Sequence, residues 1–382
     1  MELIWISMGI FLALWIERKM YQPRNLKSFS YQLEMERSRV IEGDSLVFTE
    51  TITNKSLLPF PEICTEIEII GDLELTSEDR FMFNGRLQCV SRKSSLKWLE
   101  KVIRVYPVHA HRRGVHQVRL MGYHYTDALQ TDHHSLHLLS QTELIVYPKI
   151  YDMEEILSLP LNLFGDYFVR RWIHEDVFFP SGIRDYLPGD NLRFVDWKKS
   201  ARHQSLKART YDYTNSNQLI IILNLQTSSS SIAGSKLELV EDVIRVAASV
   251  VHATAQEGFV MGMLANGGCV GYAGQTLVLS PDQYQDVDQL YECLARLVNF
   301  QTQPLDRFLQ SQMNLFDQQA NILLITGYMN EEIRSCLLKM QDRVRSMKLI
   351  TLGEIEEKLL AGLPTVSGAL KGVKQYAKNH LA

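Results

Sequence analysis

Cysteine is scarce in this chain of 382 residues, and what there is lies badly for chemistry. Cys64, Cys89, Cys269, Cys293 and Cys336 are odd in number and no two stand at metal-ligand spacing. That excludes a disulfide framework and a cysteine zinc site as organising features; unpaired thiols suit a reducing compartment. A net positive charge is also lacking. The formal value of −4 argues against a dedicated nucleic-acid binder, which would be basic. The common catalytic signatures are missing: there is no Gly-x-Ser-x-Gly elbow, no phosphate loop and no His-Glu-x-x-His helix. The apolar run at the start, Leu3–Ile16, has 14 residues, short of the roughly 17–25 that usually span a bilayer.

That run still carries membrane features. Trp5 and Trp15 sit near its ends, and Arg18, Lys19, Arg24 and Lys27 follow it, while Glu2 alone is charged before it. Positive charge after the run, and no small-residue cleavage site, do not fit a secretory signal. The expectation is a membrane anchor over 1–20, with an interfacial helix, a signal peptide or a buried helix as alternatives. If it spans, the positive-inside rule puts the bulk of the chain in the cytoplasm.

From about residue 28 to 148 the pattern has period two. In Glu62–Ile69, Ile63, Thr65, Ile67 and Ile69 share one face and Glu62, Glu66 and Glu68 the other. Leu46–Thr53, Lys101–Tyr106, His116–Tyr125 and Thr142–Tyr147 read as further strands, so a small antiparallel β-sandwich is expected. The region is rich in histidine, at His109, His111, His116, His124, His133, His134 and His137. No acidic or thiol partner falls at a recognisable spacing. Surface or loop histidines are expected, with a metal site or a pH-sensing role as alternatives.

The second half alternates. Leu219–Leu225 is a continuous apolar run, as in a strand buried on both faces. A helix follows over 236–256, with Leu239, Val240, Val243, Val246, Ala247, Val250 and Val251 at helical spacing. Phe259–Ala265 reads as a strand and 266–274 as a glycine-rich turn. Helices are expected over 286–298, 304–313 and 331–345, and strands over 321–326 and 348–352. This alternation predicts a doubly wound parallel sheet, with any ligand at the carboxyl ends of the strands, after Asn224, Ala265 and Thr326.

Between the halves lies Arg184–Arg209, dense in charge and aromatics. Tyr186-Leu187-Pro188-Gly189-Asp190 reads as a turn. Arg193, Asp196 and Trp197 suggest a buried polar network with Trp197 as its apolar anchor. Arg184, Asp185 and Asp190 can pair with Arg193, Arg202 and Arg209. The segment is expected to be a collar packed on the sheet. A partner-binding surface, or a phosphate or nucleic-acid site using Lys198, Lys199, Arg202, Lys207 and Arg209, are the alternatives.

The same segment resembles the signature of the bacterial domain-of-unknown-function-58 family. The matching residues are Arg184, Tyr186, Pro188-Gly189-Asp190, Arg193, Asp196-Trp197, Ser200-Ala201-Arg202, Leu206 and Arg209, with Arg113-Gly114 further upstream. The resemblance implies an α+β multidomain chain. It would comprise the N-terminal membrane helix (1–20), the antiparallel β-sandwich (28–148), the signature collar (149–215) and a doubly wound α/β von Willebrand A-like domain (216–382). It also implies membrane lipid contact and a single-pass location in the cell membrane. The implied protein partners are a MoxR-type AAA+ ATPase and a transglutaminase-like membrane protein. The chain departs from the family pattern at the metal positions. Where an Asp-x-Ser-x-Ser loop would supply hard oxygens to Mg²⁺, it has Asn224, Gln226 and Ser228, and Thr326 is followed by Gly327 rather than Asp. No carboxylate occurs between Leu219 and Ser235. No metal, no cofactor and no nucleic acid are therefore expected. The functional expectation is a non-catalytic interaction or scaffold protein that aids assembly or maturation of other proteins. The alternative is a hydrolase or a nucleic-acid binder using the collar.

Overall fold

The computed structural model of the protein describes residues 2–21, 29–75, 80–83, 87–127, 129–130, 132–153, 156, 180–186, 195–203, 205–211, 218–228, 236–255, 259–271, 276–281, 286–316 and 320–368. The chain divides into two compact units, Met1–Lys149 with Leu294–Arg296, and Ile150–Cys293 with Leu297–Ala382.

The first unit opens with a helix, Glu2–Met20, followed among the described residues by ten strands: β1 (Phe29–Met35), β2 (Arg39–Ile41), β3 (Ser45–Asn54), β4 (Phe60–Ile70), β5 (Leu73–Leu75), β6 (Arg80–Phe83), β7 (Leu87–Leu96), β8 (Lys101–Ala110), β9 (Gly114–Thr126) and β10 (His133–Tyr147). They form a four-stranded sheet, β1-β3-β8-β5, and a six-stranded sheet, β2-β10-β9-β4-β7-β6. The second is not purely antiparallel, because β2 joins β10 in parallel. Strand alternation decides the packing: Ile63, Thr65, Ile67 and Ile69 of β4 point inward, and Ile67 and Ile69 share a core with Leu46, Phe48, Tyr106, Val108, Leu144 and Val146 from both sheets. Fully burying each such aliphatic or aromatic side chain is worth about 1.5–3 kcal/mol. Charged side chains are also buried in this unit, among them Glu42, Asp127 and Glu50. Glu50 is fully buried and accepts hydrogen bonds from the Tyr31 hydroxyl at 2.7 Å, the Tyr106 hydroxyl at 2.8 Å and Arg104 at 3.0 Å.

The expected membrane-spanning helix is corrected. No helix among the described residues is long and apolar enough to cross a membrane. The reason lies in the sequence: the uncharged run covers about 21 Å at the helical rise, against a hydrocarbon core of about 30 Å. Extending the helix to Met20 brings in Glu17, Arg18 and Lys19. Its end is tied to the sheets, with Arg18 Nε on Asp132 at 2.7 Å and the Tyr125 hydroxyl donating to the Tyr21 carbonyl at 2.9 Å. Expectation of a single-pass protein in the cell membrane falls with the span.

The second unit holds a two-stranded ribbon, β11 (Pro180–Asp185) with β12 (Lys207–Tyr211), and the short helix Trp197–His203 between them. Its main sheet comprises β13 (Gln218–Asn224), β14 (Val260–Cys269), β15 (Thr276–Leu279), β16 (Leu297–Gln301), β17 (Asn321–Thr326), β18 (Ser346–Leu352) and β19 (Thr365–Gly368). The order is β15-β14-β13-β17-β18-β19, with β16 also on β14. From β14 to β19 the pairs are parallel, whereas β15 and β16 run antiparallel to β14. The expected doubly wound von Willebrand A-like domain is thus corrected to a mixed sheet, and strands outweigh helices among the described residues. Part of the reason is local. Asn266, Gly267 and Gly268, read as the start of a turn, stay in strand β14 to Cys269, and the next strand returns directly beside it rather than crossing over through a helix. The helices Leu305–Ser311 and Glu331–Gln341 bury Leu305, Phe308, Ile333, Leu337 and Met340 against Ile222, Ile322 and Leu324 of the sheet.

Candidate strand-end site

The apolar run of β13 ends at Asn224, and register does the rest. Asn224 stands level with Thr326 of β17, and Leu223 with Ala265 of β14, so that Asn266 follows one residue on. Three polar side chains from three adjacent strands therefore meet at the carboxyl ends of the strands. All are buried: Asn224 is 1%, Asn266 0% and Thr326 0% exposed.

Their hydrogen bonds close on themselves. Asn224 Nδ2 donates to Thr326 Oγ1 at 2.9 Å and to the Tyr328 carbonyl at 3.1 Å. Its Oδ1 accepts from the Gln226 N–H at 3.0 Å and from Asn266 Nδ2 at 3.2 Å. Asn266 Oδ1 accepts from the Leu225 N–H at 2.8 Å, and its Nδ2 also reaches the Gln303 carbonyl at 3.2 Å. Gln226 Nε2 donates to the Ser228 carbonyl at 3.0 Å, and its Oε1 accepts from the Leu305 N–H at 3.3 Å. The Thr326 hydroxyl donates to the Tyr328 carbonyl at 2.6 Å. Asn224 thereby uses two donors and two acceptor positions, the full capacity of an amide.

This donor set does not fit a hard divalent cation. Such an ion needs oxygen ligands that include carboxylate charge. Here the oxygens are neutral, and those of Asn224, Asn266 and Gln226 already accept protein N–H groups. The expected degenerate positions Asn224, Gln226 and Thr326 are brought together; Ser228 joins them through its backbone carbonyl. Asn266 was not singled out in the sequence. The available signal was an asparagine ending an apolar strand just before Gly267-Gly268. Gly267 lies close against its neighbours: a Cβ there would stand 2.4 Å from Leu225 Cδ1 and 3.0 Å from the Phe300 carbonyl oxygen, so Leu225 would have to shift.

The collar residues scatter. Arg184 and Arg209 lie in β11 and β12, where Arg184 pairs with Ala208 and Arg209 with Ile183. The Tyr186 N–H donates to the Leu206 carbonyl at 2.9 Å. Pro188, Gly189, Asp190 and Arg193 fall outside the described residues. Asp196 accepts from the Lys199 N–H at 3.1 Å and so caps the short helix. Trp197, expected as a buried anchor, is 65% exposed at the first position of that helix, whereas Ser200 is buried. Arg202 is exposed, and Asp185 pairs with Lys207 at 2.5 Å.

Among the histidines, His116 corrects the surface expectation. It is 4% exposed, with Nδ1 accepting from the Asp72 N–H at 3.2 Å and Nε2 donating to the Arg112 carbonyl at 3.1 Å. Burial holds its imidazole below the usual histidine value, against smaller opposing effects of the Arg112 carbonyl and Asp72. His111 pairs with Glu74, His109 with Ser45 at 3.0 Å, and His124 with Ser135 at 2.8 Å. His134 stacks on Tyr125, and His133 is exposed; the His137 side chain lies outside the described ones. Among the described residues no group of three His, Cys, Asp or Glu side chains is placed to hold a metal. All five cysteines are free thiols. Cys336 borders a groove of about 530 Å³ between the helices Leu305–Ser311 and Glu331–Gln341. Burial first, then Asp306, pushes its thiol up, which keeps it protonated and unreactive.

A family model described as "Protein of unknown function DUF58" matches residues 182–368, which hold the strand-end cluster and most of the collar. The chain is similar to "Uncharacterized protein YeaD" of Bacillus subtilis (strain 168), 22% identical over 321 residues, covering 81% of this chain and 72% of that one. Among solved structures it is similar to a cohesin module from a Clostridium perfringens ATCC13124 family 33 glycoside hydrolase. There the TM-score is 0.22 and identity 9%, with 31% of this chain and 96% of that one covered. A type II cohesin domain from the cellulosome of Acetivibrio cellulolyticus gives a TM-score of 0.23 and 8% identity, over 31% and 95% of the two chains. Likeness at that level is too slight to bear on fold or function.

Proposed function

We propose that the chain is a non-catalytic protein-interaction protein, a scaffold that aids the assembly or maturation of other proteins together with a MoxR-type AAA+ ATPase. The observation that supports the reading is the closed amide cluster at the strand ends. The strand ends are buried, neutral and internally hydrogen-bonded, with no carboxylate to draw a cation. A contact made by this sheet is then constitutive, set by surface complementarity rather than by a cation. The ATPase as partner comes from the family resemblance of the collar signature.

The test is direct binding of the purified full chain to a MoxR-type ATPase of the same genome, held nucleotide-free, in chelator and in millimolar Mg²⁺. The reading expects a complex of equal affinity in both. Absence of a complex, or one that forms only with Mg²⁺, would sink it.

A further inference from the structure

The helix Trp197–His203 is held firmly and yet presents its most adhesive residues to solvent. The Asp196 N–H donates to the Lys207 carbonyl at 2.9 Å and the Ser200 N–H to the Asp196 carbonyl at 2.9 Å. The Lys207 N–H donates to the Ser200 hydroxyl at 2.8 Å. Asp196 Oδ1 caps the helix at the Lys199 N–H. These bonds fasten the helix to β12 along its Ser200 side, and Ser200 is 8% exposed.

Around that fastening the surface is open. Trp197 is 65% and Leu206 45% exposed. Lys198, Lys199 and Arg202 are exposed around them. At helical spacing Lys198 and Arg202 form one row and Trp197 and Ala201 the next, so the indole lies beside a two-cation stripe. The charge is one-sided. The helix, Trp-Lys-Lys-Ser-Ala-Arg-His, contains no carboxylate. The adjacent Lys207 is neutralised by Asp185, whereas no ion pair among the described residues engages Lys198, Lys199 or Arg202. Tryptophan and arginine dominate the energetics of protein interfaces, and a surface that is already rigid loses little entropy on binding.

From this we propose that the Trp197–Arg202 face is the docking surface for an acidic protein segment that carries an apolar side chain. Carboxylates answer Lys198, Lys199 and Arg202, and the apolar side chain packs on Trp197 and Leu206. A protein segment rather than a nucleic acid fits a chain whose net charge is −4 and whose patch has only a few cations. The inference rests on the scaffold reading and names the part of the chain that would do the binding.

The experiment uses the full chain and three fluorescent probes: a short peptide alternating glutamate and leucine, its lysine–leucine counterpart, and a DNA duplex. The expected result is binding of the acidic peptide alone, weakened by salt. Combined K198E, K199E and R202E should lower the affinity at least about tenfold, and Trp197→Ala about tenfold, with Trp197→Phe retaining most of it. Unchanged melting temperatures would show that these exposed substitutions leave the fold intact. Equal binding of both peptides, equal binding by the variants, or preference for DNA overturns the proposal. Loss of the peptide contact while the ATPase complex persists would remove this surface and leave the scaffold reading standing. Failure of the ATPase complex with peptide binding intact would do the reverse.

Discussion

Asn266 donates its Nδ2 to Asn224 Oδ1 across 3.2 Å, from one strand of the sheet to its neighbour, and neither side chain reaches solvent. This bond ties two amides into a cluster that has no charge and no spare acceptor on Asn224. Replacing Asn224 with Asp removes the donors to Thr326 and Tyr328 and buries a carboxylate without a counter-charge. The expected cost is about 3–5 kcal/mol in urea denaturation near neutral pH. Burial raises the introduced carboxyl above the ordinary aspartate value. The loss should therefore be complete above that raised value and shrink as pH falls through it. In the native chain, Mg²⁺ should leave the melting temperature unchanged; a rise with ion concentration would show that the amides bind it.

His116 links acidity to the stability of the β-rich unit. Its folded value lies below the unfolded one of about 6.5, so it is neutral in the fold. Below about 6.5 the unfolded chain takes up a proton that the folded chain refuses, and stability falls with falling pH until the folded value is passed. Above about 6.5 both states are neutral and the residue adds no pH dependence. Denaturation curves collected across that range should show the slope, and His116→Gln should reduce it. An identical slope in the variant would locate the effect elsewhere.

Gly71 is shaped by the same ring. It has φ of +136°, and a Cβ there would lie 2.1 Å from His116 Nδ1. Gly71→Ala must both strain the backbone and displace a buried, doubly hydrogen-bonded imidazole. A loss of about 2–4 kcal/mol is expected by chemical denaturation. A loss below 1 kcal/mol, on the order of an ordinary surface change, would mean the ring moves freely.

Glu50 is held by Arg104, Tyr31 and Tyr106 in the interior of the first unit. Arg104→Met strands the carboxylate and should cost about 3–5 kcal/mol, whereas pairing it with Glu50→Leu should recover much of that loss. A double-mutant cycle measures the coupling. The network also predicts alkaline sensitivity. Burial, then Glu50, pushes the Tyr106 hydroxyl up to about 12. As pH rises above the unfolded value of about 10, the unfolded chain loses a proton that the folded one keeps, and stability falls.

Local pattern and tertiary context divided the information in this chain. The sequence by itself determined where strands and helices run: the alternation in Glu62–Ile69, the continuous run Leu219–Leu225 and the helical spacing from Leu239 to Val251 each follow from which face must leave water. It also determined that Asn224, Gln226 and Thr326 bring no charge to the strand ends. It could not determine what became of the segment at Gly267, because glycines that permit a turn also permit a strand lying close against Leu225. Nor could it place Trp197, whose apolar ring favours burial but whose position on a short helix depends on which side Ser200 and Lys207 fasten. Burial of His116 and the convergence of Asn266 on Asn224 were decided by register between strands far apart in the chain. Register is a tertiary property: it is set by which faces pack and which strands pair, and no single segment contains it.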